Sequence, residues 1–579
     1  MLLSLWQREY FQQLLCILVF SLVCVSQWAT SRGAEAKSPN VILLLTDDQG
    51  YGDVGFHGNA QIRTPHMDQL AREGMELTRF YCSPVCAPTR ASLMTGRYYY
   101  RSGVIHTSRG GAKMHGAETT LAELLQANGY ATGIFGKWHL GDNYPMRPQD
   151  QGFMESLVHK SGGIGQTPDK PNSYFDPWLW KNGKRERGKG YCTDLFFDAA
   201  LEFMDRQSAE GKPFFVYLPT NAPHTPLEIA DAYWKPYLKQ GLNETTARVY
   251  GMVENLDENL GRLMAHLEQK KLQTNTILIF LGDNGPQQKR YTAGLKGRKS
   301  WVYEGGIRVP FVASWPGHIP EGTQSAQIAA HIDLLPTLLA MTGTPKPKSL
   351  KLDGIDLSGL LTGKVKTLPA RSLFFQVHRG LTPQRYQNCA VVTQRYKLVG
   401  YPGTFGEENL MRDAEPVLEL YDLAADPGET KNLISDKPEI ADKLRQGYQQ
   451  WFSDVKQSRH FQPGMIVIDS RKENPTTLCR YQDGSFAQGN SQGWMVQVET
   501  PGLYEIQIQR GTGQKPGKLS VNWQGQETHE FLQADESSAR FELKSGSGLL
   551  DIWFQEEGAD RVYPGDNSTR GDVILKRLD

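Results

Sequence analysis

Apolar residues fall into two regimes along this chain. From residue 40 to about residue 455, short unbroken apolar runs alternate with longer amphipathic stretches. That pattern predicts a mainly parallel sheet covered by helices on both faces. Residues 41–45, 131–135, 214–218 and 277–281 read as buried strands, and 311–313 as a further one. The stretch from His331 opens a helix, residues 371–430 read as a smaller antiparallel part, and 439–452 as a closing helix. Beyond residues 458–464 the period changes to two. Trp494, Val496 and Val498, then Tyr504, Ile506 and Ile508, then Leu519, Val521 and Trp523, then Leu550, Ile552 and Phe554 alternate with polar neighbours, and Pro501-Gly502 marks a turn. These runs predict an antiparallel β-sandwich of about a hundred residues. The expected fold class is therefore α/β, with a mainly parallel central sheet flanked by helices, a smaller antiparallel α+β subdomain, and a C-terminal antiparallel β-sandwich. The corresponding spans are 37–370, 371–457 and 465–579.

The first 36 residues stand outside both regimes. Arg8 precedes an apolar run over 14–25, and Ala34-Glu35-Ala36 offers a small-x-small cleavage site, as in an export signal. The run is shorter than the roughly 20 residues a spanning helix needs, so stable membrane insertion is not expected. A secreted or periplasmic protein follows. Cys16 and Cys24 leave with the leader; Cys82, Cys192, Cys389 and Cys479 are too widely spaced for a small disulfide scaffold, and their pairing cannot be read. Asn243-Glu244-Thr245 and Asn567-Ser568-Thr569 fit the glycosylation pattern, which matters in a eukaryotic host.

The 579 residues hold 63 Lys plus Arg and 63 Asp plus Glu, so no global field gathers nucleic acid or anionic membrane, and no unbroken run of like charge occurs. An anionic substrate would have to be held by local charges in a pocket. Candidates cluster just past the strands. Thr46-Asp47-Asp48 follows the first, Lys137-Trp138-His139 the second, Asn221 to His224 the third, and Asp283-Asn284 the fourth. Ligand sites in open α/β sheets form outside the carboxyl ends of the strands. Such residues also cap strands and solvate turns, but four strand ends of this kind favour a shared rim.

One more stretch carries chemistry. In Tyr81-Cys-Ser-Pro-Val-Cys86-Ala-Pro-Thr-Arg90, Cys86 stands two residues before a proline, with Gly96 closing a helix-like run. A cysteine at a helix N-terminus is either a thiolate of lowered pKa or a small apolar side chain packed under a turn. The whole string, Cys86-Ala-Pro-Thr-Arg90-Ala-Ser-Leu-Met-Thr-Gly-Arg97, resembles the signature of the formylglycine-dependent sulfatases. Gly129 to His139, the His224 loop, Leu281-Gly-Asp283-Asn284-Gly, and Lys299 five residues before Glu304 resemble further motifs of that family, closest to its arylsulfatase and N-acetylgalactosamine-6-sulfatase branch.

The resemblance covers residues 40 to about 430 and implies an alkaline-phosphatase-like fold. It also implies oxidation of Cys86 to 3-oxoalanine (formylglycine) by a maturation enzyme, and a Ca2+ site, with Mg2+ the lesser choice. A hydrated aldehyde offers two hydroxyls on one carbon, one to attack sulfur and one whose deprotonation expels sulfate. Oxygen ligands from Asp47, Asp48, Asp283 and Asn284 suit a hard cation. Lys137 and Lys299 would hold sulfate oxygens, and Lys299 is preferred over Lys296 on spacing. Arg90 would orient the diol, His139 would act as base, and His224 would protonate the leaving oxygen. His159, His378 and Arg379 are candidate substrate-side residues. The expected substrate is a sulfated carbohydrate, with aryl sulfates as assay compounds. Rival readings are a phosphonate or phosphodiester hydrolase on the same scaffold, and a non-catalytic glycan-binding relative.

Overall fold

The strand runs are apolar at successive positions because both faces of the sheet they build are covered. The computed structural model describes residues 38–378, 382–401, 417–484, 493–510, 515–563 and 572–578. The expected leader and the Asn567 sequon lie outside them. Strands β1 (Asn40–Thr46), β2 (Ala131–Lys137), β3 (Glu155–His159), β4 (Trp178–Lys181), β5 (Lys184–Arg187), β6 (Phe214–Pro219) and β7 (Thr276–Gly282) lie in one sheet in the order β7-β1-β6-β2-β3-β4-β5. The first five of that order are parallel, and β4 and β5 form an antiparallel hairpin at the edge. On the other side Phe311–Ser314 runs antiparallel to β7, and Met75–Leu77 and Thr323–Ser325 complete ten strands.

The four apolar runs read from the sequence are thus consecutive neighbours, β7, β1, β6 and β2. Leu45 stands level with Pro219 on one side and Leu281 on the other, so three strands finish together. Alternation distributes their side chains. Val41, Leu43, Leu45, Tyr217 and Ile279 enter one core; Ile42, Leu44, Val216, Leu218 and Phe280 enter the other. Helix α1 (Cys86–Thr95) packs into the first core and is buried at every position. Helices α2 (Cys192–Ala209) and α3 (Glu244–Gln269) cover the second. The Asn243 side chain caps α3 by accepting from the Thr246 amide at 2.9 Å.

Leu373–Gln376, Cys389–Val392, Tyr396–Tyr401 and Val417–Asp422 form the expected antiparallel sheet. The closing helix continues past residue 452 to Arg459, where His460, in a left-handed conformation (φ 50°), ends it. The period-two region folds into a five-stranded and a four-stranded sheet around Trp494, Ile506, Val521 and Ile552. Met146, from the loop after β2, inserts into that third core. Asn143 Nδ2 donates to the Thr477 carbonyl (2.7 Å) and Lys113 Nζ to that of Asp483 (2.9 Å), so the sandwich is fastened to loops beside the sheet's carboxyl rim. The five described cysteines are buried and free. Among the described residues no helix is long and apolar enough to cross a membrane.

Candidate active site

The strand ends converge as their sequence positions predict. Lys137, the last residue of β2, places Nζ 2.5 Å from Asp47 Oδ2, just past β1. The Asp48 amide donates to Asp283 Oδ1 (3.1 Å), Asn284 Nδ2 donates to Asp48 Oδ1 (2.8 Å), and Lys299 Nζ lies 2.6 Å from that same oxygen. His224 Nε2 is 3.9 Å from Asp48 Oδ2. Lys296, the alternative lysine, turns instead to the Tyr421 hydroxyl (3.0 Å) and the Tyr303 ring.

Helix α1 starts at Cys86 and brings Arg90 under the rim. Arg90 is wholly buried; its Nη2 donates to Asp283 Oδ2 (3.0 Å) and its Nη1 to the Lys137 carbonyl (2.6 Å). No hydrogen bond among the described residues joins it to Cys86, so the guanidinium acts on this ring of carboxylates. Burial works against its charge, and Asp283, Tyr217 and Asp47 outweigh it. Thr89 Oγ1 ties the same helix turn to the Asp283 carbonyl at 2.8 Å.

Cys86 Sγ lies 3.3 Å from His139 Nδ1. His139 Nε2 donates to the Thr107 carbonyl (2.8 Å), which leaves Nδ1 as the acceptor facing Cys86. Burial, then Lys137 and Arg90, push the His139 pKa well down, so the ring is neutral. Burial raises the Cys86 thiol, with Lys137 and Lys299 opposing. Of the two readings of a cysteine at a helix N-terminus, the fold favours the packed thiol over the thiolate: with α1 buried at every position, desolvation outweighs the helix end.

The acids carry the signature of a cation site. Asp47 Oδ1, Asp48 Oδ2 and Asn284 Oδ1 are buried acceptors without a hydrogen-bond partner. Atoms of Asp47, Asp48 and His224 lie within 4.8 Å of one another. Both Asp283 oxygens accept hydrogen bonds, from the Asp48 amide and Arg90. Burial raises the Asp47 carboxyl, and Lys137, His224, Arg90 and Lys299 outweigh it, holding Asp47 ionised. Burial and then the Asp47 charge push Asp283 up. Such crowding of buried negative charge fits a hard divalent cation held by oxygen.

Cys86, His139, His224 and Lys299 line a pocket of about 510 Å³. Its lining also includes Thr107, Gln166, Gln287, Arg298 and Trp301, none of which stood out in the sequence. The Gly162-Gly163 pair is a signal that could have been used. A Cβ at Gly162 would sit 2.7 Å from His139 Cε1, and one at Gly163 3.3 Å from His224, so this loop approaches both histidines because it lacks side chains. The substrate-side candidates fare differently. His159 stands beside Lys137 in register but is buried, with Nδ1 on the Lys160 carbonyl (3.0 Å). His378 is buried against the Tyr100 hydroxyl (3.2 Å), and neither histidine lines the pocket. Arg379 lies outside the described residues. Two further residues escaped the sequence reading: Arg290 Nη2 bonds Asp53 Oδ2 (2.6 Å) and the Asp48 carbonyl (2.7 Å), bracing the loop that carries Asp47 and Asp48.

Fold and site together define a class, an α/β protein that gathers acids, lysines and histidines around one buried side chain at the carboxyl rim of its sheet. Comparison with known proteins narrows it. The sulfatase family model matches residues 39–344, and the model of the C-terminal part of N-sulphoglucosamine sulphohydrolase matches 297–454. Human (Homo sapiens) arylsulfatase A is 34% identical over 472 residues, covering 71% of this chain and 87% of that protein. N-acetylgalactosamine-6-sulfatase of Sus scrofa is 34% identical over 376 residues, covering 60% and 69%. The solved structure of Ps i-CgsB in complex with k-i-k-neocarrahexaose superposes with a TM-score of 0.64 at 27% identity, covering 73% of this chain and 94% of that one. The chain belongs to the sulfatase family and is a sulfuric ester hydrolase.

Proposed function

We propose that this protein removes sulfate from a sulfated glycan, using a formylglycine made from Cys86 and a Ca2+ ion, after export to the periplasm or the cell exterior. The reading also divides the chain into a catalytic part over 37–370 and 371–457 and an accessory sandwich over 465–579. The observation that carries the reading is Cys86 lining the pocket 3.3 Å from a neutral His139, together with Lys299, which joins that pocket to the acids whose buried oxygens lack partners. Ps i-CgsB, with its bound oligosaccharide, is similar to this chain over most of its length, which supports a carbohydrate substrate.

The donor set fits the ion: Asp47, Asp48, Asp283 and Asn284 would hold it, with His224 close by. Bound there, a hard cation would neutralise ester oxygens and favour a deprotonated hydroxyl. The hydrated aldehyde would supply an attacking hydroxyl and a second one whose proton loss releases sulfate. His139 Nδ1 accepts a proton from position 86, because Nε2 is committed to Thr107. Lys137 and Lys299 already line the acids and bind the non-bridging sulfate oxygens. Arg90 holds Asp283 and the Lys137 carbonyl in place. His224 donates to the leaving oxygen; its Nδ1 is on the Thr225 carbonyl (2.7 Å), so the donor is Nε2 of the doubly protonated ring. Burial and then Lys299 hold its pKa below the ordinary value, with Asp47 and Asp48 opposing, so the fold disfavours that form and the bound ester has to bring the proton with it or draw it in.

Trypsin releases position 86 in the peptide spanning residues 80–90. In protein made with a formylglycine-generating enzyme, the peptide mass should be that of the aldehyde, and activity should appear with it. Full activity in protein whose peptide retains the thiol would refute the reading.

A further inference from the structure

The hairpin of β4 and β5 is exposed from Lys181 through Arg187. Residues 178–189 carry Lys181, Lys184, Arg185, Arg187 and Lys189 against one acid, Glu186, in a chain whose charges otherwise balance. Trp178 is paired directly with Arg187, and Trp180 with Arg185, so these four side chains share one face. The Arg185 and Arg187 guanidinium carbons lie 4.4 and 5.4 Å from the Trp178 ring centre, and Lys160 Nζ lies 4.0 Å from that of Trp180. Cations seated on indole rings are already positioned, so gripping an anion costs them less side-chain freedom. Arg185 reaches Asp169 at 3.5 Å; among the described residues no carboxylate pairs with Lys181, Lys184, Arg187 or Lys189.

Strand pairing and the loop after β3 link this surface to the pocket. Trp180 is paired with Val158, and the next residue, His159, stands beside Lys137. Residues 160–166 follow directly, and Gly162 and Gln166 line the pocket. Three strand spacings separate β2 from β5, about 14 Å. A linear anion with one ester at Cys86 could therefore cross Gln166 and Lys160 and reach the two arginines.

We propose that the β4–β5 hairpin is a docking surface for the non-reacting part of a polyanionic glycan, one bearing repeated sulfate or carboxylate groups. The proposal rests on the reading of the pocket as a sulfated-glycan site. It predicts salt-sensitive binding, because exposed charges are screened.

Heparin is the probe, with matured full-length protein. The wild type should be retained on immobilised heparin at about 0.15 M salt. Lys184→Ser/Arg187→Ser should elute at lower salt, and soluble heparin should need about tenfold higher concentration to inhibit its hydrolysis of 4-nitrophenyl sulfate. Its kcat/KM on 4-nitrophenyl sulfate alone should stay within about twofold of wild type. Lys181→Ser/Lys189→Ser, at exposed positions, carries the same test if the first variant fails to fold. Unchanged retention and inhibition in these variants would overturn the proposal, as would retention lost with inhibition unchanged. A sulfatase that heparin does not retain removes the surface alone. A protein that hydrolyses no sulfate ester yet binds heparin through the hairpin removes the pocket reading and leaves the surface. Hairpin-dependent binding to phosphatidylserine vesicles without binding to heparin would overturn it in favour of a membrane.

Discussion

Arg290 tests how the loop carrying Asp47 and Asp48 is held. Asp48 sits in the left-handed region (φ 66°), which costs a non-glycine residue roughly 1–2 kcal/mol. Arg290 pins it: Nη2 donates to the Asp48 carbonyl (2.7 Å), and Nε and Nη2 bind Asp53 Oδ1 and Oδ2 at 2.8 and 2.6 Å. Asp53 Oδ2 in turn accepts from the Gly50 amide (2.7 Å), and both charged side chains are at most 1% exposed. Arg290→Met strands the Asp53 charge and should cost about 3–5 kcal/mol. Asp53→Asn/Arg290→Met removes that charge, while an asparagine oxygen can still accept from Gly50. The remaining loss is the unpaired Asp48 carbonyl, about 1–3 kcal/mol. The double variant should thus be more stable than Arg290→Met alone by about 2 kcal/mol, and than the summed singles by more than that. Urea unfolding of the four proteins measures this, and 4-nitrophenyl sulfate turnover should fall in Arg290→Met as Asp48 loses its brace. A single-variant cost under about 1 kcal/mol, or strict additivity, would refute the reasoning.

Lys137→Met should lower kcat by about 10²–10³, since it removes a positive charge aimed at the ester oxygens; a fall of less than about tenfold would argue against that role. Lys113 is buried, and burial pushes its pKa from 10.5 down to about 8, with Asp483 opposing. The fold thus favours its neutral form: stability is lost as pH falls through 10.5 and the full penalty is reached below about 8. The wild type should gain about 2 kcal/mol between pH 7.5 and 9.5 relative to Lys113→Met, read from urea unfolding at the two pH values. Parallel pH curves for the two proteins would contradict this.

The parts legible in the sequence were those with a local pattern. β1, β2, β6 and β7 were visible because burial on both faces makes their runs apolar throughout, and the rule for parallel sheets then locates Asp47, Lys137, His224 and Asp283 on one rim. The sandwich was visible through its period of two, but Met146, which enters its core, lies in a loop more than three hundred residues earlier and carries no signal of that contact. The Asp53–Arg290 brace was invisible for the same reason, being a pairing across 237 residues. Arg298, Trp301 and Gln166 sit on loops, where no periodicity marks which side chains face a pocket. The β4–β5 basic face was obscured because Asn, Gly and Glu interrupt its cations in the chain, and pairing of the two strands gathers them on Trp178 and Trp180. Cys86 shows the limit of reasoning from a helix end: its placement was legible, but the choice between a thiolate and a packed thiol is decided by the full burial of α1, which raises its pKa.

The central claim is that position 86 carries the group that attacks the ester. It is tested most directly by comparing matured wild type with Cys86→Ala on 4-nitrophenyl sulfate, with urea unfolding measured on both. Sulfate release should fall to background in the variant while stability stays within about 1 kcal/mol, because the formylglycine side chain at position 86 and that of Ala are both small. A Cys86→Ala protein that still releases sulfate at the wild-type rate would contradict the account.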